Sequence, residues 1–191
     1  MRGWNGVWIG AEDLKIHVPE PSQKLCFERG WVTRDNCVEI MRRGIQTVGA
    51  QEVNLVSMDL DGNDFHFVQR ILEGGFKPDV FVVEYNAKFP PPIRFSIAYD
   101  PAFVWSWGDY FGASLQTFID LFDSFGFRLV CCNVTGINAF FVHKRHAALF
   151  EDVPQDAESL FMPADYNWFV RRGHSPDARS IEQFLSKTQV D

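Results

Sequence analysis

A chain of 191 residues with 46% hydrophobic and 23% charged content has enough apolar surface for one ordinary domain, which excludes disorder as its resting state. A net charge of −7 excludes a nucleic-acid backbone as the main partner, because that partner needs a basic face. No run approaches the roughly 18 apolar residues of a membrane helix, and Met1 to Glu12 lacks the apolar stretch of a signal peptide, so a cytoplasmic protein is expected.

In chain order, GVWIG (Gly6 to Gly10) reads as a strand, and a second strand is predicted near Leu25 to Val32. Thr33 is a helix cap for Arg34 to about Arg43, with Gly44 as the stop. A buried strand then runs from about Asn54 to Leu60, followed by a helix from Asp64 to Leu72 with Phe65, Val68, Ile71 and Leu72 at helical spacing. Val80 to Glu84 is the next strand. Asn86 to Ala113 shows no periodicity, yet it is too rich in Phe, Trp, Tyr and Pro for disorder, so it should pack down as a lid or pocket wall, or serve as a subunit interface. Ser114 caps a helix stopped by Gly126, and Phe127 to Cys132 with Ala139 to His143 form an antiparallel hairpin. The more polar tail from Glu151 should end in a helix capped by Ser175, with Leu185 facing inward. One α/β domain over residues 1–150 with a helical extension over 151–191 follows. Cys26, Cys37, Cys131 and Cys132 lack metal-ligand spacing and read as reduced packing residues.

The chemistry concentrates at strand ends. VNLVSMDLDGNDF delivers Asp59 and Asp61 into a turn, and FVVEYN ends a neighbouring strand in Glu84, Tyr85 and Asn86. In open α/β sheets ligands bind beyond the carboxyl ends of the strands. Two carboxylates two residues apart raise one another's pKa, which suits proton transfer or a cation between them. Turn and cap chemistry is the alternative for these acids, and it is the stronger reading for Asp64. Glu84, Tyr85 and Asn86 read equally as substrate contacts or as loop hydrogen bonding. Asp109 and Tyr110 are candidate substrate contacts in the aromatic loop. His66 reads as a helix histidine, with a base as the lesser alternative; Asn133 and Asn138 read as turn residues. No EF-hand fits, since Gly62 and Arg70 fall at the wrong loop positions, although a divalent ion held by Asp59, Asp61 and Glu84 is a minor alternative.

SMDLDGND, FVVEYN, the YDP…DYFGASL loop and the RLVCCNVTGINAFFV pair, over Gly3 to Lys144, resemble the FkbM-type S-adenosylmethionine-dependent methyltransferases. That resemblance implies a Rossmann-like doubly wound sheet, mostly parallel with an antiparallel closing pair, and methyl transfer to a hydroxyl of a sugar or other small metabolite. It implies Asp59 and Asp61 as catalytic residues, and Glu12, Asp59, Asp61 and Gly62 as contacts to S-adenosylmethionine. The family's glycine-rich turn should precede GVWIG, so the sheet is expected to be incomplete at its N-terminal side and completed by a rearranged strand order, a partner chain or further residues. The competing reading is a non-catalytic binding or assembly module that forms a homodimer through its sheet edge or its aromatic loop. Hydrolysis with a metal at the acid cluster is a third, without a nucleophile motif to support it.

Overall fold

A computed structural model describes residues 4–12 and 24–165, and the helix expected from Ser175 to Leu185 lies outside them. GVWIG and LCFER form β1 (Gly6–Gly10) and β2 (Leu25–Arg29), a parallel pair. Helix α1 (Cys37–Thr47) begins later than Thr33 predicts. Thr33 and Asn36 bond to each other instead, the Thr33 amide donating to Asn36 Oδ1 at 2.7 Å and the Asn36 amide to Thr33 Oγ1 at 3.3 Å, which spends the cap on a turn ahead of the helix. Nor does Gly44 stop it. Gly44 is buried inside α1, where a Cβ would overlap the Val7 side chain, so its role is the close approach of α1 to β1. The stop is Gly49, whose φ of +64° is the left-handed conformation glycine adopts without a steric cost.

The remaining elements are β3 (Leu55–Met58), α2 (Asp64–Glu73), β4 (Val80–Glu84), α3 (Leu115–Ser124), β5 (Phe127–Cys132), β6 (Asn138–His143) and the short α4 (Ala157–Leu160). Ser114 caps α3 as predicted, accepting from the Thr117 amide, and Gly126 follows at φ +81°. The hairpin turn is held by Asn133, whose Oδ1 accepts from the Ile137 and Asn138 amides at 2.8 and 2.9 Å. The four strands form a mixed sheet in the order β3-β4-β6-β5, with β3 and β4 parallel and β6 antiparallel to both its neighbours. The protein is therefore α/β, built on this sheet and on the separate β1–β2 pair. Among the described residues no strand bonds β1 to β3; helix α1 links the two parts by packing on β1, β2 and α2.

Strand register explains which face is buried. Val56, Phe81 and Phe141 share one row, and Met58, Val83 and Ala139 the next on the same face. Helix α3 lays Phe118 and Phe122 here, and Phe122 meets Phe81, Phe127 and Phe141 at ring-centroid distances of 5.1, 5.7 and 4.1 Å. Each fully buried ring is worth about 1.5–3 kcal/mol in removed apolar surface. The alternate residues of β3, Leu55 and Ser57, face the other way and are exposed. That open face carries the acids. Cys131, expected to pack, is exposed beside an irregularity in the β5–β6 pairing, while Cys132 is half-buried. Among the described residues no helix is long and apolar enough to cross a membrane.

Candidate active site

One step beyond the Met58–Val83 pair lie Asp59 and Glu84, side by side at the carboxyl ends of two parallel strands. Strand β3 has already ended there, so the alternation of a strand does not by itself bring Asp61 back to Asp59. A turn does so. Asp61 adopts φ +57°, the left-handed region that aspartate tolerates better than most residues. The result is a cluster in which one carboxylate oxygen each from Asp59, Asp61 and Glu84 lie within 4.8 Å of one another.

Asp64 builds that turn. Its carboxylate is buried and accepts from the Leu60 amide at 2.7 Å and the Gly62 amide at 2.8 Å. It is the first residue of α2 rather than its cap, and it holds the chain before the helix instead of the helix's own first turn. The aromatic loop is then fastened on top. Gly112 donates its amide to the Gly62 carbonyl at 3.0 Å, and Asn63 Nδ2 donates to the Asp100 carbonyl at 2.8 Å. Phe103 lies on Gly62, where any Cβ would overlap its ring. His66 Nε2 meets the Ile97 carbonyl at 2.9 Å, which makes His66 a loop anchor and not a free base.

The electrostatics follow from crowding like charges in a partly dry place. Burial, then the charges of Asp59, Asp64 and Asp61, push the Glu84 carboxyl up from its ordinary 4.5 to about 8. Asp59 keeps a face to solvent, yet the protein around it and the charge of Asp61 raise its pKa as well. Burial raises Asp64 against the pull of its two amide donors. None of Asp59, Asp61 and Glu84 forms an ion pair with a described lysine or arginine. Such a site holds a proton near neutral pH, and it attracts cations.

The other sequence candidates are placed differently. Tyr85 is buried on the opposite face of β4, and its hydroxyl donates to the Met162 carbonyl at 2.6 Å. Asn86 is buried too, donating to the Asp109 and Phe111 carbonyls at 2.8 and 3.1 Å. Both are therefore structural, and of the FVVEYN tip only Glu84 joins the cluster, because strand alternation turns Tyr85 inward. The Gly62 amide and carbonyl are both taken, by Asp64 and Gly112, so its backbone is closed to a cofactor. Glu12 is exposed in the bend that follows β1, a strand of the two-stranded sheet. Asp109 pairs with Lys88 at 2.8 Å, and Tyr110 is 55% exposed on the rim. Sequence reasoning missed Asp64 as the organiser of the turn. Its signal was its spacing, four residues after Leu60 and two after Gly62.

No family model, curated protein or solved structure matches the chain. A cavity of about 820 Å³ lies at the other end of the sheet, between Val53, Asp79 and the α2 C-terminus. At its wall Arg42 Nη2 donates to the Gly74 carbonyl at 3.1 Å, and hydrogen bonds from Asn54, His146 and Arg145 hold Asp79 well below the usual carboxylate range. Among the described residues, Asp59, Asp61 and Glu84 are the group of three carboxylates gathered closely enough to hold one ion.

Proposed function

We propose that this is a Rossmann-like domain that transfers a methyl group from S-adenosylmethionine to a hydroxyl of a sugar or other small metabolite. One observation carries the reading: Glu84 lies beside Asp59 at adjacent strand ends, its carboxylate gathered with those of Asp59 and Asp61 within 4.8 Å, where burial and the neighbouring charges push its pKa up to about 8. A general base works best when its pKa lies near the working pH. In its carboxylate form Glu84 would accept the hydrogen bond of the acceptor hydroxyl and take its proton as the oxygen bonds to the methyl carbon. The carbon–sulfur bond breaks as that bond forms, its electron pair leaving with sulfur as the neutral thioether S-adenosylhomocysteine. Asp59 and Asp61 keep that pKa high and orient the hydroxyl, so rate comes from alignment as much as from proton transfer. The donor supplies an electrophilic methyl group on a positively charged sulfur. The residues present fit that positive end, since Asp59 and Asp61 pair with no described lysine or arginine and their charge attracts it. Asp59 and Asp61 would hold this end; Glu12, which the resemblance implies for the ribose hydroxyls, stands beyond β1 and has no part in the acid cluster. The order β3-β4-β6-β5, with an antiparallel strand in the closing pair, agrees with the fold that resemblance implies.

The test is a thermal-shift titration with S-adenosylhomocysteine. At one hundred times its dissociation constant a ligand stabilises by about 2.7 kcal/mol, or roughly 5–10 °C for a domain of this size. We expect that shift in the wild type and a smaller one in Asp59→Asn/Asp61→Asn. A cooperatively melting wild type with no shift would sink the reading. The carboxylate oxygens within 4.8 Å of one another favour a second reading, a divalent cation bridging Asp59, Asp61 and Glu84. Stabilisation by Mn²⁺ or Mg²⁺ with no methyl donor present would support it.

A further inference from the structure

The rim above the acid turn exposes aromatic rings that the fold does not need. Trp107 is 87% exposed, Val104 71% and Tyr110 55%. The Trp105 and Trp107 rings lie 4.9 Å apart at 39°, and Trp105 meets Phe111 at 6.0 Å and 63°. The segment is held rather than loose: Trp105 Nε1 donates to the Gly108 carbonyl at 2.8 Å, and Asn86 grips the backbone at Asp109 and Phe111. Trp107 also has φ +67°, a strained conformation for a bulky residue. Folding gains little from a large ring that is both strained and in water, so its use must lie in what it touches. Exposed apolar patches rimmed by polar groups mark binding sites.

Charge decides what binds. The rim is fastened to the acid turn through the Gly112–Gly62 bond and the seat of Phe103 on Gly62, which ties both ends of the rim to the residue that follows Asp61. The nearby Lys88 is taken by Asp109, so Asp59 and Asp61, which pair with no described lysine or arginine, leave the turn to which the rim is tied negative. Ring faces carry the same preference, because their quadrupole attracts cations, and weakly hydrated organic cations most of all. Elsewhere in this loop a ring already carries a cation: the Arg34 guanidinium sits 4.7 Å over the Tyr99 ring. We propose that the Trp105–Trp107 rim is a binding surface for a small organic ammonium ion. An anion is disfavoured by the carboxylates, and a neutral apolar ligand would leave their field unused.

The proposal does not rest on the methyl-transfer reading, and it is tested with no methyl donor present. Choline and its neutral isostere 3,3-dimethylbutan-1-ol are titrated against the full chain by tryptophan fluorescence and calorimetry. Choline should bind at least tenfold more tightly than the alcohol. Trp107→Gly should weaken choline at least tenfold while the melting temperature holds or rises, because glycine accepts a positive φ and little buried surface is lost. Trp107→Leu, which keeps apolar bulk without a ring face, should also lose choline. Equal binding of alcohol and choline, no binding of choline, or unchanged choline affinity in both variants would each overturn the proposal.

Discussion

Replacing Asp64 with alanine tests the turn that assembles the site. The wild-type carboxylate takes two backbone amides, from Leu60 at 2.7 Å and Gly62 at 2.8 Å. Leu60 is half-buried, so water replaces part of its lost bond, and about 1 kcal/mol is the expected cost there. Gly62 is buried beneath Phe103, and an orphaned donor in that place costs about 2 kcal/mol. Together the loss is about 3 kcal/mol, a large share of the roughly 5–15 kcal/mol that holds a domain folded. Asp64→Asn keeps one acceptor oxygen and should lose about half as much. Urea denaturation at pH 7 measures both, with the slope m checked for constancy so that the difference is one of stability. Removal of Asp64 should also loosen the Gly62–Gly112 link and change the Trp105 and Trp107 fluorescence. A cost for Asp64→Ala below about 1 kcal/mol, with unchanged fluorescence, would refute the reasoning.

Glu84→Gln tests the raised pKa through stability. The native state binds the Glu84 proton more tightly than the unfolded chain does, so this group's contribution is complete below pH 4.5 and is lost as pH rises through about 8. At full weight the change is worth about 5 kcal/mol, and the solvent-facing part of the side chain screens it to roughly 2–3 kcal/mol. In urea titrations the variant should match wild type at pH 4 and exceed it by that amount at pH 9; parallel curves would contradict the shift. Gly62→Ala drives a methyl into the Phe103 ring, so it should cost about 1–3 kcal/mol in urea denaturation and abolish donor binding, whereas Gly75→Ala, strained but in open space, should leave binding intact. Gly44→Val should part α1 from β1, seen as early hydrogen exchange of β1 and β2 while β4 and β6 stay protected. Phe122→Ala removes the ring shared by Phe81, Phe127 and Phe141 and should cost about 3–5 kcal/mol by denaturant titration.

Much of the fold was legible because periodicity records burial. β4, α2, α3 and the β5–β6 hairpin fall within a residue or so of their predicted ends, since each carries an unbroken apolar pattern, and α2, α3 and the hairpin also have a glycine or a cap at a boundary. Helix α1 was misplaced at both ends for a tertiary reason. Gly44 reads as a stop in isolation, and only the approach of Val7 reveals it as a contact. At the site, Asp59, Asp61 and Glu84 could be singled out as strand-end acids, but their convergence depends on the β3–β4 register and on the left-handed turn at Asp61. Tyr85 and Asn86 looked like site residues because polar groups at a strand tip read alike whether they face solvent or the interior. Their partners, Met162 and Phe111, lie 77 and 25 residues away. No local pattern encodes such contacts.

The reading of this site depends most on Asp59, Asp61 and Glu84 acting as one proton-holding unit. A ¹³C NMR titration of the Glu84 side-chain carboxyl measures that directly. The expected midpoint is about 8, falling by part of that rise in Asp59→Asn/Asp61→Asn as two neighbouring charges are removed, while burial, the larger cause, keeps it above the ordinary 4.5. A wild-type midpoint near 4.5, or one that ignores those substitutions, would contradict the coupling and remove the proton acceptor from the proposed chemistry.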